Sequence, residues 1–353
     1  MNYKLESPKP LYRQISNLIE KRILSGDLEA GDRLPASKKM AEEFGTTLQT
    51  IQQAAALLTR RGLIERTPGR GSFISNRIQS RTIVIACGAN IFGDIKFLYY
   101  QQLYACLCQE LKRGGWNTNL YFPLDENSPG QMLAELGQVE ADGRIRGIIP
   151  ICGNKALTEW LDEHPGIPRI LKDKHQQQST ADPKEGTVYR AVDYLLGRGY
   201  RRIAVITHSG KRESKLTKKH IAQAYEDRNV SLQATLHTGK TNTHAKGVEQ
   251  ARNVLDQSNE RPDALLVLND LGCMGVIFEL LCRKLNIPGD IGIMACSNKG
   301  IGIPCPVPLT RLEYDPMNMA RREIEELMAL IEGRESKQIF CGANLIIGKS
   351  CGE

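Results

Sequence analysis

Residues 64–74, IERTPGRGSFI, alternate apolar and polar side chains on either side of a Pro-Gly-Arg-Gly tip. Two short strands joined by a turn that needs positive φ read as a β-hairpin with an arginine at its apex. A slender cationic point suits a nucleic-acid groove, because arginine gains from the concentrated negative potential of a narrow minor groove and glycine permits close approach. The pattern therefore predicts Arg70 in a groove, and Arg66, Arg60 and Arg61 on phosphates.

What precedes the hairpin agrees with that reading. Leu11, Ile15, Leu18, Ile19 and Ile23 recur at helical spacing, and Ser25-Gly26 is a stop signal. A second helix, from about Ala36 to Phe44, turns Met40, Ala41 and Phe44 inward and ends at Gly45, a residue free to adopt the left-handed cap. Thr46-Thr47 offers a hydroxyl cap to a third helix, whose Ile51, Ala54, Ala55 and Leu58 share one stripe closed by Gly62. Helix, glycine turn and helix is helix-turn-helix spacing. Off the core stripe of the third helix lie Leu48, Gln49, Thr50, Gln52 and Gln53. Glutamine pairs in bidentate fashion with adenine N6 and N7, and threonine reaches a base or a phosphate. A polar helix face by itself is more often merely solvated. The hairpin that follows it directly tips the reading toward DNA.

Charge placement points the same way. The chain carries 47 basic and 40 acidic residues, a net +7. Residues 1–76 hold 12 of the basic and 8 of the acidic ones, so a fifth of the chain carries over half of the excess. That favours an anionic partner for the front module. A length of 353 residues predicts two or three folded units, and 41% hydrophobic with 25% charged residues is ordinary globular composition. No apolar run has the length of a membrane span and no apolar stretch follows MNYKLESPKP, which predicts a cytoplasmic protein with no membrane anchor. The ten cysteines predict reduced thiols and no metal site: Cys106 and Cys108 are too close together for a structural zinc pair, and Cys296 and Cys305 lack histidine company.

Beyond the polar joint SNRIQSR at 75–81, the apolar runs TIVIACGAN, IRGIIPI, PRILK, RIAVITHS, DALLVLND, IGIMACS and ANLIIG alternate with helical segments. This is the signature of an α/β body with parallel sheets covered on both faces. Ligands of such sheets settle beyond the carboxyl ends of the strands. The polar residues expected there are Asn90, Asp94, Asp173, His208, Ser209, Asn269, Asp270, Ser297 and Asn298. Singly, each is more often a turn or cap residue; together they recur after five strands, as a hydrogen-bonding site for a small polar molecule requires. Lys211, Arg212, Lys215, Lys218, Lys219 and His220 read as a solvated helix face rather than a phosphate site. No nucleophile elbow, P-loop or metal-spaced His/Cys set is present, and His208, His220, His237 and His244 fit no metal motif, so neither an enzyme nor a cofactor is expected.

Residues 10–74 resemble the winged helix-turn-helix domain of the GntR family of bacterial transcription regulators. The resemblance rests on Pro10-Leu11-Tyr12, Gln14-Ile15, Gly31-Asp32-Arg33-Leu34-Pro35, Gly62-Leu63-Ile64 and Gly69-Arg70-Gly71, all in order. It implies contacts with double-stranded operator DNA from Arg33, Ser37, Lys38, Thr47, Leu48, Gln49, Thr50, Gln52, Gln53, Arg66, Gly69 and Arg70. Lys38 stands where the family has an arginine, keeping the charge without the fork, and Leu48 and Gln52 stand where it tends to have two more. An operator unusual for the family, with A·T-richer contacts and weaker electrostatic binding, is the expectation.

Residues of about 80–350 resemble the effector domain of the LacI/GalR repressors, built like a periplasmic sugar-binding protein. RAVDYLLGRGYRRIAVIT, RPDALLVLNDLGCMGVIFELLCRKLNIPGDIGIMACSN and PLTRLEYDPMNMARREIEELMALIEG carry that resemblance. GntR-type heads on such bodies occur in arabinose-repressor-like regulators. The combination implies a multidomain chain: an α+β winged head at 1–75, a joint at 76–81 and a two-lobed α/β body at 82–353. The first lobe would take about 82–175 and 308–335, the second about 176–307 and 336–350. By resemblance the protein is a homodimeric repressor controlled by a sugar-like effector between the lobes. Asn269-Asp270 stands at the family's Asn/Ser-Asp motif and Asp173 at a position that often touches ligand. However, Ala295-Cys296-Ser297-Asn298 replaces the family's Gly-Phe-Asp-Asp, so Ser297 stands in for the aspartate that pairs sugar hydroxyls, and the arginine expected in GKRESKLTKKHIAQAY is not evident. These departures leave open a smaller, less hydroxylated or anionic effector, or a constitutive DNA-binding dimer with a degenerate pocket.

Overall fold

The computed structural model describes residues 10–24, 27–75, 82–125, 128–170, 184, 186–207, 211–239, 243–257, 260–334 and 342–352. The chain divides into two compact units. The first comprises Met1–Gly93, Tyr100–Lys172 and Ala320–Gln338, and the second Asp94–Tyr99, Asp173–Met319 and Ile339–Glu353.

The first unit begins with the head, formed by α1 (Leu11–Leu24), α2 (Ser37–Glu43), α3 (Leu48–Arg60), β1 (Ile64–Thr67) and β2 (Gly71–Ile74). The periodic apolar positions meet in one core: Ile15, Ile19 and Ile23 of α1, Met40 of α2, and Ile51, Ala54, Ala55 and Leu58 of α3, closed by Leu63, Ile64 and Ile74. Gly45 and Gly62 take the left-handed conformation after their helices, with φ of 59° and 65°. β1 and β2 pair antiparallel from Ile64 opposite Ile74 to Thr67 opposite Gly71. The loop before α2 joins them: Gly31 N–H donates to the Ile74 carbonyl and Leu34 N–H to that of Ser72. Arg33 bridges to Phe73.

The α/β part of the first unit carries β3 (Thr82–Cys87), α4 (Leu98–Arg113), β4 (Asn117–Tyr121), α5 (Gly130–Ala141), β5 (Gly147–Ile151) and α6 (Lys155–Glu163), with the parallel sheet in the order β4-β3-β5. The second unit carries α7 (Thr187–Gly197), β6 (Ile203–Thr207), α8 (Lys211–Asp227), β7 (Thr235–Thr238), α9 (His244–Gln257), β8 (Ala264–Val267), α10 (Asp270–Cys282), β9 (Gly292–Asn298), β10 (Thr310–Tyr314) and β11 (Asn344–Ile346). Its sheet runs β11-β10-β9-β8-β6-β7, parallel except for β11, which lies antiparallel on β10. Every residue of β6 and β8 is buried, which is why both read as unbroken apolar runs. The last helix, α11 (Pro316–Ile331), starts in the second unit and from Ala320 belongs to the first. No helix among the described residues is long and apolar enough to cross a membrane.

Three elements differ from the sequence reading. β4, β7 and β10 were not expected, because NTNLY, TLHT and TRLEY mix polar with apolar residues; β4 and β7 are edge strands, partly open to solvent. PRILK contributes one isolated bridge, Arg169 with Ile148, among the described residues. The segment from about 308, expected in the first lobe, instead pairs with β9 from Thr310 opposite Met294 to Tyr314 opposite Asn298, so the chain returns to the first unit only at Ala320. The joint at 76–81, the stop at Ser25-Gly26 and residues 171–175 lie outside the described residues.

One buried group makes stability depend on pH. Glu323 of α11 is 5% exposed, and its Oε2 has no hydrogen-bond partner among the described residues. Burial, reinforced by nearby Glu326, pushes its pKa from 4.5 up to about 8. The folded chain therefore holds this proton more tightly than the unfolded one. Its contribution is full below about pH 4.5 and is lost progressively as pH rises to about 8. Glu323→Gln is expected to stabilise the first unit at pH 8.5 by about 2 kcal/mol, with little effect at pH 5. Urea melts of the two proteins at both pH values measure this, and equal stability differences would contradict it.

Candidate functional site

The head exposes polar side chains on α2, on α3 and along the wing. Thr47 caps α3, its hydroxyl accepting from Thr50 N–H at 3.2 Å and lying 2.9 Å from the Thr50 hydroxyl. This sets where the helix begins and leaves its first turn outward. Leu48 is 47% exposed, and Gln49, Gln52 and Gln53 are exposed beside it, while the opposite stripe is core. Ser37 is half-buried and Lys38 exposed at the start of α2.

The wing tip is closed by Arg70 N–H donating to the Thr67 carbonyl at 3.0 Å, with Gly69 at φ 74°. Arg66, Gly69 and Arg70 are exposed. Gly71 has φ 117°, and a Cβ on it would come within 3.1 Å of Arg33 Nε. Arg33 therefore lies along the wing, its guanidinium packed close over the bare backbone of Gly71. Of the residues expected to contact DNA, Arg33, Lys38, Thr47, Leu48, Gln49, Gln52, Gln53, Arg66, Gly69 and Arg70 are exposed, and Ser37 and Thr50 are half-buried. One further expectation is overturned: Arg61 does not face phosphate. It is 7% exposed and ion-paired with Glu20 at 2.6 Å.

The strand-end residues fall into separate groups. In the first unit, Asn90 Oδ1 accepts from Phe92 N–H at 3.1 Å, an Asx turn after β3. Asn154, not singled out from the sequence, ties the ends of β3 and β5 together: its Nδ2 donates to the Gly88 carbonyl at 2.6 Å and its Oδ1 caps α6. Its signal was the Gly-Asn pair after an apolar run. In the second unit, Asp94 caps a short 3₁₀ turn through Lys96 N–H.

At the carboxyl ends of β8 and β9, Asn269 caps α10 by accepting from Gly272 N–H at 2.8 Å. Asp270, 5% exposed, accepts from Asn298 N–H at 2.9 Å and Asn298 Nδ2 at 2.6 Å. Burial raises the Asp270 pKa to about 6 against the pull of those two donors. Ser297 is 1% exposed, and its hydroxyl has no hydrogen-bond partner among the described residues. Asp270 and Asn298 thus form a polar pair next to Asn269, with much of its hydrogen-bonding capacity already satisfied internally, while Ser297 precedes Asn298 on β9, where successive side chains point to opposite faces. Asp173, His208 and Ser209 lie outside the described residues, as do the side chains of Lys211 and Arg212. Among the described residues no group of His, Cys, Asp and Glu is arranged to hold a metal ion.

Residues 11–74 match the bacterial regulatory proteins of the gntR family, and residues 192–351 match a periplasmic binding protein-like domain. The arabinose metabolism transcriptional repressor of Geobacillus stearothermophilus is 22% identical over 352 residues, covering 95% of this chain and 94% of the relative. The HTH-type transcriptional repressor PurR of Vibrio vulnificus is 25% identical over 208 residues, 57% of this chain, which spans 62% of that protein's length. Among solved structures, a LacI family transcriptional regulator from Bifidobacterium animalis superposes with a TM-score of 0.61 at 15% identity, covering 77% of this chain and 98% of that one.

Proposed function

We propose, for a chain that joins a GntR-type DNA-binding head to a periplasmic-binding-protein-like body, that it is a sequence-specific transcriptional repressor acting as a homodimer on double-stranded DNA. The observation that carries this reading is the exposed first half of α3 beside an arginine-tipped wing. Gln49, Gln52 and Gln53 supply amides for base edges, Arg70 a groove contact, and Arg33, Lys38 and Arg66 phosphate contacts. One head alone buries too little surface for useful specificity, so two heads on half-sites one or a few helical turns apart are required. Leu48 and Gln52, in place of arginines, favour A·T-richer half-sites. Selecting bound duplexes from random DNA with the full-length protein is the test. Paired, A·T-rich half-sites bound with steep salt dependence are expected, and absence of salt-sensitive binding to any duplex would overturn the reading.

The body would hold a small polar effector, and the strand ends carrying Asn269, Asp270, Ser297 and Asn298 are where the second unit offers polar groups for one. Neither a cofactor nor catalysis is part of the reading. The internal pairing of Asp270 with Asn298 favours a second reading, in which the pocket is degenerate and DNA binding constitutive. Melting the protein against a metabolite library separates the two: a working pocket gains about 2.7 kcal/mol at a hundredfold excess over Kd. No shift with any compound favours the constitutive form.

A further inference from the structure

We propose that Arg61 anchors the head to the rest of the first unit, and that this docking positions the DNA-reading face. The inference deepens the repressor reading and rests on it for its consequence on DNA, though not for the docking itself. Arg61 follows α3 as its C-terminal cap. Nη1 donates to Glu20 Oε2 at 2.6 Å and to Asn17 Oδ1 at 3.1 Å, both on α1. Nη2 reaches the Gly333 carbonyl, just past the end of α11, at 3.5 Å. Gly333 has φ 65°, and a Cβ on it would lie 1.8 Å from Arg61 Nε and 2.5 Å from Cδ, so the arginine occupies space that only glycine leaves.

Gly62 adds an ordinary packing contact to the same surface, since a Cβ there would stand 3.7 Å from the Gly166 carbonyl oxygen and 3.9 Å from Pro168 Cδ. The charges alternate across the contact. Glu20 feels Arg61 from the head, and Arg146 and Glu332 from the body; its pKa is raised mainly by burial, while both arginines pull it down. Burial likewise lowers the Arg146 pKa, opposed by Glu20. A buried ion pair adds little to stability on balance, but breaking it is costly, so such a cluster specifies one geometry more than it strengthens the fold.

Docking leaves Leu48, Gln49, Gln52, Gln53, Arg66 and Arg70 exposed. The docked head therefore keeps these side chains accessible to a duplex. Arg61 acts here as a positioning residue, and α11, which begins in the second unit, is the covalent element whose end it touches.

The test uses full-length protein carrying Gly333→Val, which changes no residue of the head, Arg61→Ala, and the two combined. Hydrogen exchange needs no DNA: amides at the ends of α1 and α3 should exchange faster in Gly333→Val than in the parent. Fluorescence anisotropy with a selected duplex should show affinity reduced about tenfold in each single variant, and the double variant no weaker than the weaker single, because both remove one contact. Gly333→Ala, a smaller intrusion into the same space, should reproduce the exchange change if the valine variant misfolds. Unchanged exchange at α1 and α3 in a folded Gly333 variant, or losses that add in the double, would overturn the proposal. A parent that binds no duplex would sink the repressor reading and leave the exchange result to judge the docking.

Discussion

Replacing Arg66 and Arg70 together by alanine is expected to weaken binding to a selected operator about a hundredfold near physiological salt. Both side chains are exposed, and the fold of the wing does not depend on them. The turn is closed by the backbone bond from Arg70 N–H to the Thr67 carbonyl, which alanine retains, and by Gly69 and Gly71 in their positive-φ conformations. The loss is therefore one of charge and groove contact, not of structure. Each phosphate-neutralising cation contributes roughly 0.9 to the slope of log affinity against log salt, so loss of the Arg66 phosphate contact should make the double variant's slope shallower by about 1. Anisotropy titrations across a salt series give both numbers. An unchanged slope would remove the wing from the interface, and a lowered melting temperature would show that the change was structural after all.

The second large effect concerns the core behind that face. Leu58 of α3 is fully buried against α1 and belongs to a cluster of small extent. Leu58→Ala removes its side-chain volume from a site with little room to collapse, at a cost of about 2–5 kcal/mol. For a head this size that is a large share of the total stability. DNA binding should be lost, while the melting of the second unit, whose two apolar clusters are separate, should be unaffected. Calorimetry resolves the two: loss or lowering of only one transition is expected, and parallel lowering of all transitions would show that the units melt as one.

Within the head, almost everything needed for a DNA-reading face was legible in the chain. The 3.6-residue spacing of Ile51, Ala54, Ala55 and Leu58 decides which side of α3 is core, and so which side carries Gln49, Gln52 and Gln53. Gly45, Gly62, Gly69 and Gly71 mark four places where the backbone takes positive φ, Gly31 being another. In the body, the buried strands β6, β8 and β9 were legible because a strand covered on both faces must be apolar throughout. β4 and β7 were not, because an edge strand is specified by its neighbour's hydrogen bonds more than by its own side chains. At the candidate effector cluster, the residue types were visible but their partners were not. Asn269 and Asp270 sit where expected, yet Asn269 is used as a helix cap and Asp270 is held by Asn298, 28 positions further along.

Arg61 marks the boundary between the two kinds of information. From the chain alone it is a basic residue next to Arg60 at the end of a DNA-binding helix, and a phosphate contact is the natural reading. Local periodicity determined the helices, the wing and their exposed face, because those depend on residues a few positions apart. The fate of Arg61 depended on Glu20 from another helix and on the bare backbone of Gly333, 272 residues away, which only the tertiary structure brings against it. A guanidinium loses its water only where a surface from elsewhere supplies both a counter-charge and a space shaped to receive it, and no short-range pattern in the sequence records that.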